Sequence, residues 1–265
     1  VVGRASKPAP RGVFVPMRNQ AFIWDAAKGI RGLGVPEGDA ASFASDVTPD
    51  GRRISGFAVG ENRVRACVWD RDGDGWKITV LPHVSNLGSN VVAISDNGQY
   101  VAAVDGEKPS LWTLDSSGTW KQELIGDPAS LIPRGVNNSA LVVGLRNTTD
   151  GHFHAMTWTR ETGVKQLAKL LGHVRSQVET RHVAEVLAGM TDGPPGTDVG
   201  PSAFFAENGK THLIETQGYY FSSATAINDK NQVTGDFDEK EEPVAPSQPV
   251  SVPERPRPAL PGNQR

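Results

Sequence analysis

The stretch RACVWD, residues 65–70, decides how this chain folds. Its side chains alternate, so Ala66 and Val68 point to one side of a strand and Cys67 and Trp69 to the other. Both sides are apolar, which describes a strand buried on two faces. The same stretch recurs as QAFIWD (20–25), KPSLWT (108–113) and HAMTWT (154–159), and in weaker form as SAFFAE (202–207). Trp24, Trp69, Trp112 and Trp158 are thereby spaced about 45 residues apart, with Ala206 in the same column.

A second column runs in step with the first. SDVTPDGRRISGFA, VAISDNGQYVAAV, RGVNNSALVVGL and TAINDKNQVTGDF each place a polar turn between two β-rich runs. Asp50-Gly51 and Asn97-Gly98 are two-residue hairpin signals because that turn needs positive φ at its centre. In the fifth period, TRHVAEVLAG (180–189) lacks that turn chemistry. Each period therefore reads as four short strands, and 29 glycines with 19 prolines suit many turns better than long helices. Sheets apolar on both faces must stack, and radial stacking leaves only short edges exposed. The expected fold is an all-β, propeller-like repeat domain over residues 1–237, with about five four-stranded blades. VVGRAS at the start reads as a second strand, so the two chain ends could interlock in one blade, or the set could belong to a larger ring. The aligned tryptophans are expected to pack between blades, and Cys67 to be a small buried hydrophobe.

Residues 238–265 have no aromatic side chain and frequent prolines, so the sequence predicts a disordered tail. A net charge of -3 supplies no basic footprint for nucleic acid, and no apolar run is long enough to insert in a membrane as a helix. One cysteine excludes an internal disulfide. Val1 at the start reads as a fragment or a processed form.

The order and spacing of QAFIWD, HAMTWT, SAFF, GVNNSALVVG and TAINDKNQVTG resemble the HAF repeat, named for a His-Ala-Phe triplet. Only His154-Ala155 keeps the leading histidine, and the family's glycine-rich segment survives in traces such as Leu33-Gly34 and Leu171-Gly172. The resemblance implies propeller-like architecture in bacterial proteins of the cell surface or exterior, and it implies no catalytic activity.

Several positions invite a chemical reading. In WDRDGDGW (69–76), Asp70, Asp72 and Asp74 have the alternate spacing of a calcium loop, but Ile78 and Leu81 stand where a closing carboxylate is needed. The corresponding positions in other periods are plain turns, and a turn is the competing account. His152 and His154 share a strand face without a third ligand in view. The loops joining successive blades, VPEGD, LPHVSN, LGHVRS and QGYYF, would line one rim with Glu37, Asp39, His83, His173, Tyr219 and Tyr220. That mixture suits a glycan or protein ligand. No nucleophile is placed beside a base, so the functional expectation is a non-enzymatic binding scaffold with no cofactor unless calcium. A polysaccharide hydrolase or lyase using Glu37 or Asp39, and a spacer with no ligand, are the alternatives.

Overall fold

The computed structural model describes residues 1–6, 19–84, 88–127, 130–147, 153–167, 176–178, 186–191, 201–207, 210–214, 219–227 and 232–239. They form six antiparallel sheets in chain order. The first holds β1 (Val2–Ser6), β2 (Asn19–Asp25) and β3 (Gly29–Gly32). The second holds β4 (Ala41–Val47), β5 (Arg53–Gly60), β6 (Arg63–Asp72) and β7 (Gly75–Val80). The third is β8 (Ser89–Ile94), β9 (Tyr100–Asp105), β10 (Lys108–Leu114) and β11 (Trp120–Leu124). The fourth is β12 (Ile132–Val136), β13 (Val142–Asn147), β14 (Phe153–Thr159) and β15 (Gly163–Gln166). The fifth is β16 (Ser176–Val178), β17 (Val186–Thr191), β18 (Ser202–Glu207) and β19 (Lys210–Leu213). A two-stranded sheet, β20 (Tyr219–Ile227) and β21 (Val233–Glu239), ends the series.

Four sheets are thus complete, and the first begins at the second strand, as its VVG signature predicts. Among the described residues β1 pairs only with β2, and β20 only with β21, so the two ends do not share a blade. Strand β21 runs two residues beyond the expected limit at 237, and the proline-rich tail lies outside the described residues.

Successive sheets stack face to face. First strands are neighbours, β4 with β8 and β8 with β12, whereas fourth strands make no comparable contact with one another. The sheets therefore fan out from a shared inner edge. Between the first two, Ala21, Ile23 and Leu33 meet Ile54, Cys67 and Trp69. Between the second and third, Ala66, Val68 and Leu81 meet Val101, Trp112 and Trp120. Between the third and fourth, Ala102, Leu111 and Ile125 meet Met156 and Trp158. The alternation read in RACVWD is the rule: small and aliphatic residues face the following sheet, and the tryptophan faces the preceding one. Cys67 is fully buried, and that burial, reinforced by the nearby Asp39 carboxylate, pushes its thiol pKa up.

Trp24 departs from the rule. Its sheet has no preceding neighbour among the described residues, and the residue is 43% exposed, against 0% for Trp69 and Trp112. The expectation that all four tryptophans are core holds for three. The sequence column specifies which face a side chain occupies, not whether anything covers it.

A local device recurs inside the sheets. The first strand carries one extra residue opposite the second: Ser45, Val92, Arg134 and Thr225 sit in these bulges. The bulge pushes a carbonyl against the second strand, and glycine stands there. A Cβ on Gly56, Gly144 or Gly235 would collide with the carbonyl oxygen of Phe43, Ile132 or Ser223. This explains the glycine in ISG (54–56), VVG (142–144) and VTG (233–235). In the third sheet Ala103 takes the same place.

Candidate functional site

The turns between first and second strands share one construction. Thr48, Ser95 and Asn137 each open a turn in which a later residue returns its backbone N–H to the opening carbonyl: Gly51 to Thr48 O, Gly98 to Ser95 O and Ala140 to Asn137 O. The returning residue has positive φ, 66° at Gly51, 69° at Gly98 and 63° at Ala140. The glycine of each Asp-Gly or Asn-Gly pair is therefore the last residue of a longer turn, and not, as the sequence suggests, part of the centre of a two-residue hairpin, because the bond closes from Gly51 to Thr48 and from Gly98 to Ser95. The opening side chain closes the loop, Thr48 Oγ1 accepting from Arg53 N at 3.1 Å and Asn137 Oδ1 from Leu141 N at 2.9 Å.

Where two such turns stand side by side they enclose a polar cleft of about 340 Å³, between the second and third sheets. It is lined by Thr48, Asp50, Arg52, Arg53, Asp70, Arg71, Asp96, Asn97 and Gly98. Arg53 forms its floor. It pairs directly across the ladder with Asp70, donates from Nη1 to Gly98 O at 2.8 Å, and lies over the Trp120 ring at 5.6 Å. One guanidinium thereby ties the second sheet to the third. Arg71 donates to Gly73 O at 2.9 Å and lies over the Trp76 ring at 5.2 Å. Arg52 is exposed at the mouth. The Thr48 hydroxyl, followed by the Arg52 N–H, holds the Asp50 carboxyl below its ordinary range.

Three arginines and three aspartates balance the charge of the lining. There is no histidine, cysteine or lysine in it, and the Thr48 hydroxyl is spent on Asp50 and Arg53 O. Such a cleft suits charge-assisted hydrogen bonding to a ligand carrying both signs of charge. It offers no open aromatic face for a sugar, because Trp120 lies beneath Arg53.

This cleft is at the opposite end of the sheets from the loops that the sequence singles out. Asp39 lies in one of those loops, but its side chain is fully buried, held by Arg63 Nε at 2.9 Å and Arg65 Nη2 at 2.6 Å. It fastens the blade-joining loop to β6 and is not open on a rim. Glu37 is exposed, and its carbonyl accepts from Arg65 at 3.1 Å. His83 is exposed. His173 and His152 lie outside the described residues. Tyr219 and Tyr220 belong to β20 and not to a joining loop, because the last inner strand begins earlier than the turn pattern suggests. His154 Nδ1 faces Gln166 Nε2 at 3.3 Å.

Asp70 and Asp74 of WDRDGDGW have different surroundings. Asp70 is engaged by Arg53, while Asp74 is fully exposed at the tip, near Lys28 and Arg71. No group of three or more His, Cys, Asp or Glu side chains is placed to hold a metal among the described residues.

A buried carboxylate with no motif around it clasps the third sheet. Asp105, fully buried, accepts from Ser89 Oγ at 2.6 Å, Gln122 Nε2 at 2.7 Å and Val84 N at 3.0 Å. Asp46 does similar work between sheets, accepting from Ile94 N of the next first strand at 2.8 Å. The second residue of QAFIWD and of SAFFAE joins sheets as well, since Ala21 N and Ala203 N donate to Ser42 and Ser222 of the following sheet at 3.0 and 2.8 Å. These are structural roles, and they are hidden in the sequence because the partners lie far apart in the chain.

No family model matches the chain, and no curated protein matches it. Solved structures do. The β-propeller domain of the Trilobed protease from Pyrococcus furiosus matches with a TM-score of 0.57 at 12% identity, over 90% of this chain and 75% of that one. A structure from an analysis of two prolyl endopeptidases matches at 0.55 and 13%, over 89% and 37%. A puromycin-hydrolyzing peptidase of Mycobacterium tuberculosis matches at 0.50 and 13%, over 84% and 38%. This chain spans about two fifths of the length of such peptidases. The fold is a β-propeller. At these identities the likeness extends to the fold alone.

Proposed function

We propose that this propeller is a non-catalytic scaffold that binds a protein or peptide ligand, and that the charged cleft between the second and third sheets is where it does so. The observation that carries the reading is the lining itself: Arg52, Arg53 and Arg71 opposed to Asp50, Asp70 and Asp96. Alternating charges over a rigid floor recognise a polypeptide bearing both signs of side chain. A glycan is the weaker candidate, since its recognition leans on exposed aromatic stacking. The compartment follows the HAF resemblance, which implies the cell surface or exterior.

The test is an array of mixed-charge peptides and of glycans presented to the purified chain. Saturable peptide binding should weaken as salt rises, because exposed charges are screened within about 10 Å at 0.1 M. It should also be lost in the double variant Arg52→Glu, Arg71→Glu. Salt-independent binding, or glycan binding untouched by that variant, would overturn the proposal.

A further inference from the structure

The junction of the third and fourth sheets shows what the repeat places where the charged cleft lies. Tyr100 pairs with Thr113 there, the register counterpart of Arg53 with Asp70 one sheet earlier. Arg160, two residues past Trp158, crosses from the fourth sheet onto that pair. Its guanidinium lies over the Tyr100 ring at 5.9 Å and donates to Thr113 Oγ1 and Glu123 Oε2, both at 2.9 Å. Leu114, two residues past Trp112, holds the same position in the third sheet, where it packs among apolar residues against the second. A leucine has no donor to offer Asp70, and the cleft lies in front of the Arg53–Asp70 pair.

Several groups of the lining are already engaged. Arg53 uses Nε on Asp70 and Nη1 on Gly98 O, and Arg71 uses Nε on Gly73 O. The hydrogen bonds to Asp50 and Asp70 go to Oδ1, from Thr48, Arg52 N and Arg53. Unspent among the described residues are Oδ2 of Asp50, Oδ2 of Asp70 and the exposed Arg52 guanidinium. A ligand therefore finds two acceptors for basic side chains and one donor for an acid.

The sequence contains a segment with that balance. From Pro243 to Gln264 the charged residues are Glu254, Arg255 and Arg257 alone, set in PERPRP (253–258). Its prolines limit the backbone before docking, which lowers the entropy lost on binding. Glu254 stands 15 residues past the end of β21 at Glu239. A proline-rich chain of that length reaches about 45 Å, against a radius of gyration of about 18 Å for a domain of this size.

We propose that PERPRP of the same chain is the resident occupant of the cleft. Its arginines meet Asp50 and Asp70, as Arg160 meets Thr113 and Glu123 at the next junction, and Glu254 meets Arg52. The proposal rests on the reading of the cleft as a peptide site and adds its regulation: other mixed-charge peptides must displace the tail.

The probe is a fluorescent peptide of residues 251–260, SVPERPRPAL, titrated by anisotropy into the full chain and into its tail variant Arg255→Glu, Arg257→Glu. A tethered segment competes at an effective concentration on the order of millimolar. The tail variant should therefore bind the peptide at least about tenfold more tightly than the parent, with an unchanged circular dichroism spectrum. Adding Arg52→Glu should abolish that binding, and a peptide carrying Glu254→Arg should restore it. Equal affinity for parent and tail variant, or no saturable binding to the tail variant, would overturn the inference. So would a dimer in sedimentation that the tail variant dissolves, since the tail would then sit on a second copy. Array peptides that bind parent and tail variant alike, and need Arg52 and Arg71, would sink this inference and leave the function of the cleft standing. If SVPERPRPAL binds while no array peptide saturates even the tail variant, that function fails and the seat of the tail stands.

Discussion

Trp24 and Trp112 occupy the same column of the repeat and meet opposite surroundings. Trp112 is sealed between the second and third sheets, with its indole N–H donated to Pro82 O at 2.6 Å. Trp24 lies on the outer face of the first sheet, where Ile30 is also exposed. Gly144 and Gly3 form a second such pair, one pressed by a neighbouring carbonyl and the other open. The unit alone therefore fixes strand order and side-chain facing, whereas stability comes from the neighbour. This is how stacked repeats behave when each one contacts only the next.

The largest test of that contrast is truncation of the two tryptophans. Trp112→Ala should cost about 3–5 kcal/mol in urea unfolding, while Trp24→Ala should stay within about 0.5 kcal/mol. Comparable losses would mean that Trp24 is covered in solution. The glycines should follow in the same order. Gly144→Ala forces aside the carbonyl of Ile132, two residues before the bulge, and should destabilise by about 2–3 kcal/mol. Gly3→Ala needs only a shift of the Phe22 ring and should leave the unfolding midpoint in place. The smallest effects come from two turn carboxylates, one in the first sheet and one in the third. The Lys28 backbone N–H, helped by Arg31, holds the Asp25 carboxyl below its ordinary range, and the Ser117 hydroxyl and Lys121 do the same for Asp115. A carboxyl with a depressed folded-state pKa adds stability above its ordinary value, near pH 4, and loses it as pH falls through the depressed value. Asp25→Asn and Asp115→Asn should therefore each flatten the acid limb of a stability–pH profile, Asp115→Asn the more strongly because Ser117, Lys121 and the Thr119 N–H all hold its carboxylate. An equal effect of the two would mean that these turn contacts do not set the acid limb.

Much of this is legible in the letters, and the reasons for the misses are physical. The Trp column stands out because a strand buried on both faces must repeat its chemistry every period. The VVG signature locates the start of the first sheet at a second strand, although the steric purpose of its glycine needs the bulge opposite. Asp39 reads as a rim group in the sequence because Arg63 and Arg65, its partners, lie on the next hairpin. The cleft escapes notice for a related reason. Arg53 and Asp70 face each other across one ladder, a pairing that counting outward from the β5–β6 hairpin would find. The Gly98 carbonyl arrives from a different sheet and leaves no local trace. Tyr219 and Tyr220 read as loop residues because nothing in QGYYF marks where a strand begins.

Cys67 has a practical consequence. It is the chain's single thiol, and it is walled in where the first two sheets meet. An alkylating reagent can reach it only when those sheets part, so the rate of its modification times the opening of one chosen seam. A cysteine introduced anywhere on the surface would meanwhile react without competition, leaving the parent molecule silent to site-directed probes.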